Sequence, residues 1–206
     1  DFAVVDGTGK DVTSNYTLTT KTPGKLEITD RTNKYEITVV ANSNTGNVYD
    51  GTEKSATGFE TLEFTVEGNT YTVSGLTTSD PSSTNVCNLT NAITGTAVVK
   101  DAAGNDVTAQ FTVTTEDGEL EIKAREVTVS VEDKEVEYNG SEQYGNTEYT
   151  FANVVEGQTA SITYAPSHGT LVDTYDNGAY TANTFKVEDA DGNDVTGNYT
   201  LGTQTA

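Results

Sequence analysis

Residues 4–17 read Val-Val-Asp-Gly-Thr-Gly-Lys-Asp-Val-Thr-Ser-Asn-Tyr-Thr, and the same pattern returns at 99–112 and at 187–200. The three copies share the skeleton D-x-x-G-[KN]-D-V-T-x-[NQ]-[YF]-T, which we call the turn motif. Its Asp, Gly and Asn residues favour a tight reversal, since glycine adopts positive φ without steric cost. The aromatic residue alternates with threonines, which is typical of a following strand. The motif therefore predicts a β-hairpin whose aromatic side chain points toward a core.

The spacing of the motif predicts the domain organisation. Its central glycines stand at 9, 104 and 192, which indicates units of roughly 90 residues, near the usual size of a domain. We expect residues 1–29 to be the last hairpin and strand of a preceding repeat. We expect 30–123 to be a first complete β module and 124–206 a second module that lacks its final strand. The short connections between units predict an elongated rod.

Composition and alternation predict the fold class. Only 33% of the residues are hydrophobic, Met and Trp are absent, and no long window has the 3.6-residue apolar period of a helix. Alternation such as Leu62, Phe64, Val66 is typical of half-buried strands. We therefore expect an all-β, mainly antiparallel fold of tandem β-sandwich (Ig-like) or β-grasp-like modules arranged end to end. Residues 76–92, rich in Ser, Thr and Asn, are expected to be an exposed loop.

Charge and residue usage exclude several function classes. The net charge is −21, from 32 acidic and 11 basic residues, so neither nucleic acid nor an anionic membrane surface is an expected partner. No stretch approaches the length of a membrane span. The single cysteine, Cys87, excludes an intrachain disulfide. His168 is the only histidine and lies far along the chain from Cys87, so we expect no catalytic residues and no enzyme activity.

The third turn motif contains the candidate metal site, formed by Asp189, Asp191, Asn193 and Asp194. Its D-x-D spacing offers oxygen ligands to Ca²⁺, but the glycine stands at the fourth position rather than the sixth required by an EF-hand. The other copies have Thr8 and Ala103 where Asp191 stands. A turn is the preferred interpretation, with Ca²⁺ as the alternative. Otherwise no cofactor is expected.

Two further kinds of chemistry have candidate residues: ligand binding by tyrosines and covalent cross-linking by lysines. The tyrosines at loop-like positions of the second unit are candidates for binding a glycan or protein by ring stacking: Tyr144, Tyr164, Tyr175 and Tyr180. Lysines beside predicted strands, Lys34, Lys100 and Lys186, are candidates for Lys–Asn isopeptide cross-links. No motif identifies a particular cross-linking triad.

Two more patterns accompany the turn motif. Tyr-Asp-Gly at 49–51 returns as Tyr-Asn-Gly at 138–140, and a closing G-x-L-x-I stands at 24–28 and at 118–122. Together they resemble the tandem YDG/MBG-type repeats of large surface proteins of bacteria, especially Firmicutes. The resemblance covers the whole chain. The second unit departs from it, because Asn139 replaces the aspartate and Tyr138 is followed by Tyr149 after 11 residues, whereas Tyr49 and Tyr71 are 22 apart.

The resemblance implies a function without catalysis. Modules of this kind would be secreted stalk or spacer repeats of a Gram-positive, adhesin-like protein at the cell wall, and would serve cell adhesion. The implied partners are neighbouring repeats of the same chain. Host glycans or surface proteins become partners under the alternative, a binding module that uses loops of the second unit.

The order in which the closing strands occur along the chain bears on how molecules associate. A closing strand at 24–28 precedes the first complete unit, and the second unit ends before its own. Such a strand could be exchanged between neighbouring molecules by β-addition. The alternative is that residues 1–29 fold back on the first unit as an extra hairpin.

Overall fold

The structure is a computed structural model that describes residues 1–205. The chain divides into two compact units, 1–33 and 34–206. Strands dominate, and single turns of 3₁₀-helix occur in each turn motif, at Thr13–Asn15, Thr108–Gln110 and Thr196–Asn198. The described residues contain no α-helix, and hence no helix with the length and apolar character needed to cross a membrane. The all-β, mainly antiparallel fold is confirmed.

The first repeat contains ten strands, and its first strand pairs with its ninth. The strands are β1 (Tyr35–Val40), β2 (Asn44–Val48), β3 (Lys54–Ser55), β4 (Glu63–Val66), β5 (Asn69–Thr78), β6 (Ser82–Ser83), β7 (Cys87–Asn91), β8 (Ile93–Asp101), β9 (Phe111–Glu116) and β10 (Gly118–Lys123). β1 runs parallel to β9, and β10 lies between β2, which is parallel to it, and β7, which is antiparallel. β4, β5 and β8 form an antiparallel sheet, and β3 pairs with β6. The expectation of an exposed loop over 76–92 is wrong, because β6 and β7 lie there.

The second repeat reuses this arrangement in shorter pieces. Its strands are β11 (Arg125–Ser130), β12 (Gln143–Tyr144), β13 (Thr150–Ala152), β14 (Thr159–Ser161), β15 (Tyr164–Ala165), β16 (His168–Gly169), β17 (Ala179–Tyr180), β18 (Lys186–Glu188) and β19 (Tyr199–Thr205). β11 lies between β13, which is antiparallel to it, and β19, which is parallel to it. The pairs β12–β16, β14–β18 and β15–β17 complete the repeat. Arg125 is opposite Tyr199 just as Tyr35 is opposite Phe111, so the repeats share one register.

Two apolar clusters hold residues 34–206 together. The first lies within the first repeat and includes Ile37, Val39, Val73, Val99 and Phe111. The second crosses the repeat boundary: it combines Tyr49, Ala56, Leu120 and Ile122 with Val127, Val187 and Tyr199. Only Ala124 separates β10 from β11. The two sequence repeats therefore share a core.

Residues 1–33 hold a turn motif and little other regular structure. Val5 forms an isolated bridge to Asp11. The strand predicted at 25–28 is not formed, and Leu26 and Ile28 are 85% and 88% exposed. The reason is physical: the equivalent β10 is a central strand that needs a hydrogen-bonding neighbour on each side, and residues 1–23 contain no strands to supply them.

Candidate functional site

Each turn motif is a self-contained network of short-range hydrogen bonds. In the second copy, the Asp101 carboxylate accepts the backbone N–H groups of Ala103 and Asn105, both at 2.9 Å. The Thr108 hydroxyl accepts the N–H of Val99 at 2.8 Å. Equivalent bonds occur in the other copies, at Asp6, Thr13, Asp189 and Thr196. The repeated pattern of residues therefore serves the turn itself.

The same hydrogen bonds lower the pKa of the motif aspartates below the ordinary value. For Asp101, the side-chain amide of Asn105 makes the largest contribution, and backbone N–H groups add to it by stabilising the ionised form. For Asp106 the largest contribution comes from the Thr108 hydroxyl. The pKa is lowered in the same way at Asp6, Asp11, Asp189 and Asp194.

The candidate Ca²⁺ ligands lie in this turn. Asp189 accepts backbone N–H groups through Oδ1, and its Oδ2 accepts the Asn193 amide at 3.0 Å. Asp194 accepts the N–H of Thr196 at 2.9 Å, and Asp191 contributes its backbone N–H. Within residues 1–205, no three His, Cys, Asp or Glu side chains are grouped so that they could hold a metal. The turn accounts for these hydrogen bonds without a metal.

The four candidate tyrosines divide into two kinds. Tyr164 and Tyr180 are half-buried and pack against each other across β15–β17, with tilted rings whose centroids are 5.0 Å apart. Tyr144 and Tyr175 are exposed. Tyr144 lies 5.6 Å from the His168 ring, and the Tyr175 hydroxyl binds the backbone of Leu171. Only Tyr144 and Tyr175 therefore offer rings to a ligand.

A shallow depression of about 350 Å³ adjoins Tyr175. It is lined by residues 165–168 and 175–179. His168 is at its edge, and its Nδ1 lies 3.0 Å from a carboxylate oxygen of Glu142. The depression combines an aromatic ring with hydroxyl, amide and carboxylate groups, which is the chemistry used for polar ligands such as sugars.

The cysteine and the three lysines considered for reactive chemistry are either packed against a core or exposed to solvent. Cys87 is half-buried and packs against the core that crosses the repeat boundary. Lys34, Lys100 and Lys186 are exposed, and Lys186 is paired with Glu188. None of the three lysines lies in the buried setting expected for an isopeptide bond.

The Tyr-Asp-Gly motif of the first repeat lies at the boundary between the repeats. The Tyr49 side chain is buried and packs edge-on against Tyr199, with ring centroids 5.3 Å apart. Gln158 joins the two hydroxyls: its Nε2 donates to Tyr49 at 2.9 Å, and its Oε1 accepts the Tyr199 O–H at 2.6 Å. The Tyr199 hydroxyl also accepts the N–H of Val155 at 3.2 Å. We call this boundary the junction.

A second set of polar contacts closes the junction. Asn198, just before Tyr199 in the turn motif, is buried. Its side-chain oxygen accepts the N–H of Val86 at 2.8 Å, and its Nδ2 donates to the Asn85 side chain at 2.9 Å. Arg125 donates to the backbone carbonyls of Asn153, at 2.6 Å, and of Tyr49, at 3.3 Å. The [NQ]-[YF] pair of the third motif therefore faces the preceding repeat.

The structure corrects the way in which the two repeats are aligned. Val99 is opposite Val73 in the first repeat, and the equivalent Val187 is opposite Ala160 in the second. Gln158 therefore takes the place of Tyr71, and the comparison of Tyr71 with Tyr149 is wrong. Tyr71 packs edge-on against Phe111 at 4.8 Å, whereas Gln158 binds the Tyr199 hydroxyl. An aromatic pair in one repeat is replaced by a hydrogen bond in the other.

The sequence does not mark Gln158 as a junction residue. Its partners lie 109 and 41 residues away, at Tyr49 and Tyr199, so no local pattern marks it. The one available signal is the change from phenylalanine to tyrosine between the second and third motifs, which adds a hydroxyl that needs a partner when buried.

No model of a known protein family matches the chain, and neither the curated proteins nor the solved structures contain a detectable match to it.

Proposed function

We propose that the chain is a structural spacer: stalk modules of a Gram-positive, adhesin-like cell-surface protein, with no catalytic act. The observation that supports this is the junction, where side chains of both repeats share a core across a single connecting residue. The adhesive and cell-wall setting depends on the resemblance to YDG/MBG-type repeats.

A spacer must resist bending where its modules join. Domains on flexible linkers move freely, and a large apolar interface restricts that motion. Here β10 passes to β11 through Ala124 alone, and Tyr49 and Tyr199 are buried on either side. The hydrogen bonds of Gln158 and Asn198 add directional contacts that a sliding or hinging interface would break.

The positions equivalent to the junction are exposed at the other side of the second repeat. Tyr138 corresponds to Tyr49 and is 62% exposed. The register of β12–β16 against β3–β6 makes Val172 the equivalent of Val86, and it is 86% exposed. In the first repeat the equivalent positions, Tyr49 and Val86, both contribute to the junction, so we take Tyr138 and Val172 as the surface that a further module would cover. The partner that this surface fits is a further repeat whose turn motif presents [NQ]-[YF], as Asn198 and Tyr199 do.

Small-angle X-ray scattering of the 206-residue chain tests the proposal. A spacer gives an elongated particle with a defined cross-section and a long tail in the distance distribution. Tyr49→Ala removes the central ring of the junction, so the scattering curve of this variant should show that the two repeats move relative to each other. A compact, globular curve for the unmodified chain would contradict the spacer.

The second candidate function is a glycan-binding or protein-binding module. It is favoured by the depression beside Tyr175 and by the exposed rings of Tyr175 and Tyr144. A glycan array tests it: specific binding should be lost in Tyr175→Ala and retained in Tyr16→Ala, whose tyrosine is also exposed. An array without specific binding would remove glycans as the ligand.

A further inference from the structure

The chain contains two Asn-Gly dipeptides, Asn139-Gly140 and Asn177-Gly178. Such a pair rearranges without an enzyme when the backbone nitrogen of the glycine attacks Cγ of the asparagine and closes a succinimide ring. Glycine favours this step because it has no side chain to hinder the approach. The reaction also needs a free glycine N–H and an asparagine carboxamide that lies over the following peptide. The two dipeptides differ in these respects.

The Asn139 carboxamide is folded over the peptide that follows it. Its Oδ1 accepts the backbone N–H of Ser141 at 2.9 Å, which forms an Asx turn and brings Cγ towards the nitrogen of Gly140. The same hydrogen bond withdraws electrons from the carboxamide carbonyl, and it stabilises the negative oxygen that forms when the nitrogen attacks. The backbone of Ser141 therefore acts as an oxyanion donor for the ring closure.

The Gly140 nitrogen is available to react. Among residues 1–205, its N–H donates to no carbonyl or side chain. Asn139 and Gly140 are exposed and lie outside the strands. Apart from its chain neighbours, a Cβ built on Gly140 would meet only the Tyr138 hydroxyl, at 3.9 Å. The backbone therefore has room to rotate as the ring closes.

The second dipeptide is held differently. A Cβ built on Gly178 would lie 2.2 Å from the Tyr164 hydroxyl and 2.5 Å from the carbonyl oxygen of Ala165, so this glycine is packed against β15. No hydrogen bond to the Asn177 carboxamide occurs within residues 1–205. Asn177-Gly178 therefore has the same two residues but neither the freedom to rotate nor the activated carbonyl.

We propose that Asn139 is a site of spontaneous deamidation and that it reacts before Asn177. The Gly140 nitrogen loses its proton and bonds to Cγ, and the carboxamide nitrogen takes up a proton and leaves as ammonia. Water then opens the succinimide at either of its carbonyl carbons, which gives aspartate or isoaspartate at 139. One water is consumed and one ammonia is released, without an oxidant or reductant. This inference is independent of the proposed spacer function.

The first repeat shows that the turn accepts the aspartate product. Asp50 is the equivalent of Asn139, and its Oδ1 accepts the N–H of Thr52 at 2.9 Å. This is the bond that Ser141 donates to Asn139. Asp50 is exposed although another repeat follows its own, so this position stays open to water within a row of repeats. Deamidation thus converts the Tyr-Asn-Gly of the second repeat into the Tyr-Asp-Gly of the first, whereas isoaspartate lengthens the main chain by a methylene group and breaks the turn.

Ageing of the 206-residue chain at mildly alkaline pH tests the proposal. The intact mass should rise by the difference between an oxygen atom and an NH group, and faster at higher pH, because the glycine nitrogen reacts in its deprotonated form. Cleavage after glutamate separates the two dipeptides, into 138–142 and 157–188, and the change should accumulate first in 138–142. A protein isoaspartate methyltransferase, which methylates the isoaspartyl linkage, should label the aged chain.

Matched variants and an unfolded control separate the effect of the structure from that of the dipeptide. Asn139→Gln should abolish the early mass change, whereas Asn177→Gln, the same substitution at the other dipeptide, should leave it intact. In concentrated urea both dipeptides lose their surroundings, so the ratio of the rate at 139 to that at 177 should fall at least about threefold, the factor that corresponds to one weak hydrogen bond. A chain that stays unmodified would overturn the proposal. So would equal rate ratios in buffer and urea, or earlier change at 177.

Discussion

Removal of the Tyr199 hydroxyl should destabilise the whole of residues 34–206, because the core at the junction belongs to both repeats. This hydroxyl donates to Gln158 at 2.6 Å and accepts the N–H of Val155 at 3.2 Å. Tyr199→Phe keeps the ring and its packing against Tyr49, and removes only these two bonds. The change therefore isolates the polar part of the junction.

The magnitude follows from the two groups left without their partner. A typical hydrogen bond contributes about 1 kcal/mol net, and a buried polar group left unpaired costs about 1–3 kcal/mol. Gln158 and Val155 are half-buried, so water replaces part of the loss. We expect the free energy of unfolding to fall by about 2 kcal/mol, which lowers Tm by about 4–8 °C for a unit of this size.

Urea unfolding followed by far-ultraviolet circular dichroism and tyrosine fluorescence measures the change, since the chain has no tryptophan. Tyr16→Phe is the matched control: Tyr16 occupies the same motif position and is 56% exposed, so its change should stay within about 0.5 kcal/mol. A double-mutant cycle of Tyr199→Phe with Gln158→Leu should give a coupling of at least about 0.5 kcal/mol. If Tyr199→Phe matched Tyr16→Phe, or if the coupling were absent, the hydrogen bonds would not stabilise the junction.

Three further predictions concern the turn motif and the central strand. Gly104 has φ of 85°, so Gly104→Ala should cost about 1–2 kcal/mol, whereas Gly197→Ala, at a position without positive φ, should be neutral; equal urea midpoints for the two variants would contradict this. The lowered pKa of Asp101 means that its ionised form stabilises the fold above the unfolded pKa of about 3.9 and that this stabilisation is lost as the pH falls through the folded value. Asp101→Asn should therefore be less stable than wild type at neutral pH and approach it in acid, and a difference that persists at low pH would argue against the mechanism. Gly118→Ala should cost more than Gly104→Ala, because its Cβ would lie 2.2 Å from the Asn42 carbonyl; thermal unfolding checks the order, and the reverse order would be inconsistent with β10 as a tightly held central strand.

The turn motif is the part of the fold that could be predicted most directly from residues. Its bonds join positions within nine residues, such as Asp101 to Asn105 and Val99 to Thr108. The same bonds form in residues 1–33, where Asp6 and Thr13 lie in a unit without a sheet. Because donor, acceptor and left-handed glycine all lie in one short segment, the motif needs no tertiary partner.

Polar composition concealed part of the sheet structure. The polar composition of 76–92 predicts an exposed loop, yet β7 ends at Asn91, which is fully buried. Its side chain donates to the Asn42 carbonyl and accepts the N–H of Asp80, so its polar groups are satisfied inside the fold. A buried asparagine with both partners supplied cannot be told from an exposed one by composition.

The amino-acid sequence by itself determined the three turns, the strand-rich fold and the repeat of about ninety residues, because these depend on local backbone preference and side-chain alternation. Tertiary structure alone decided which strands pair. The same G-x-L-x-I pattern is a buried central strand at 118–122 and an exposed, unpaired segment at 24–28. The physical reason is that a strand's hydrogen bonds come from neighbours far along the chain, as the bonds of Gln158 to Tyr49 and Tyr199 also do.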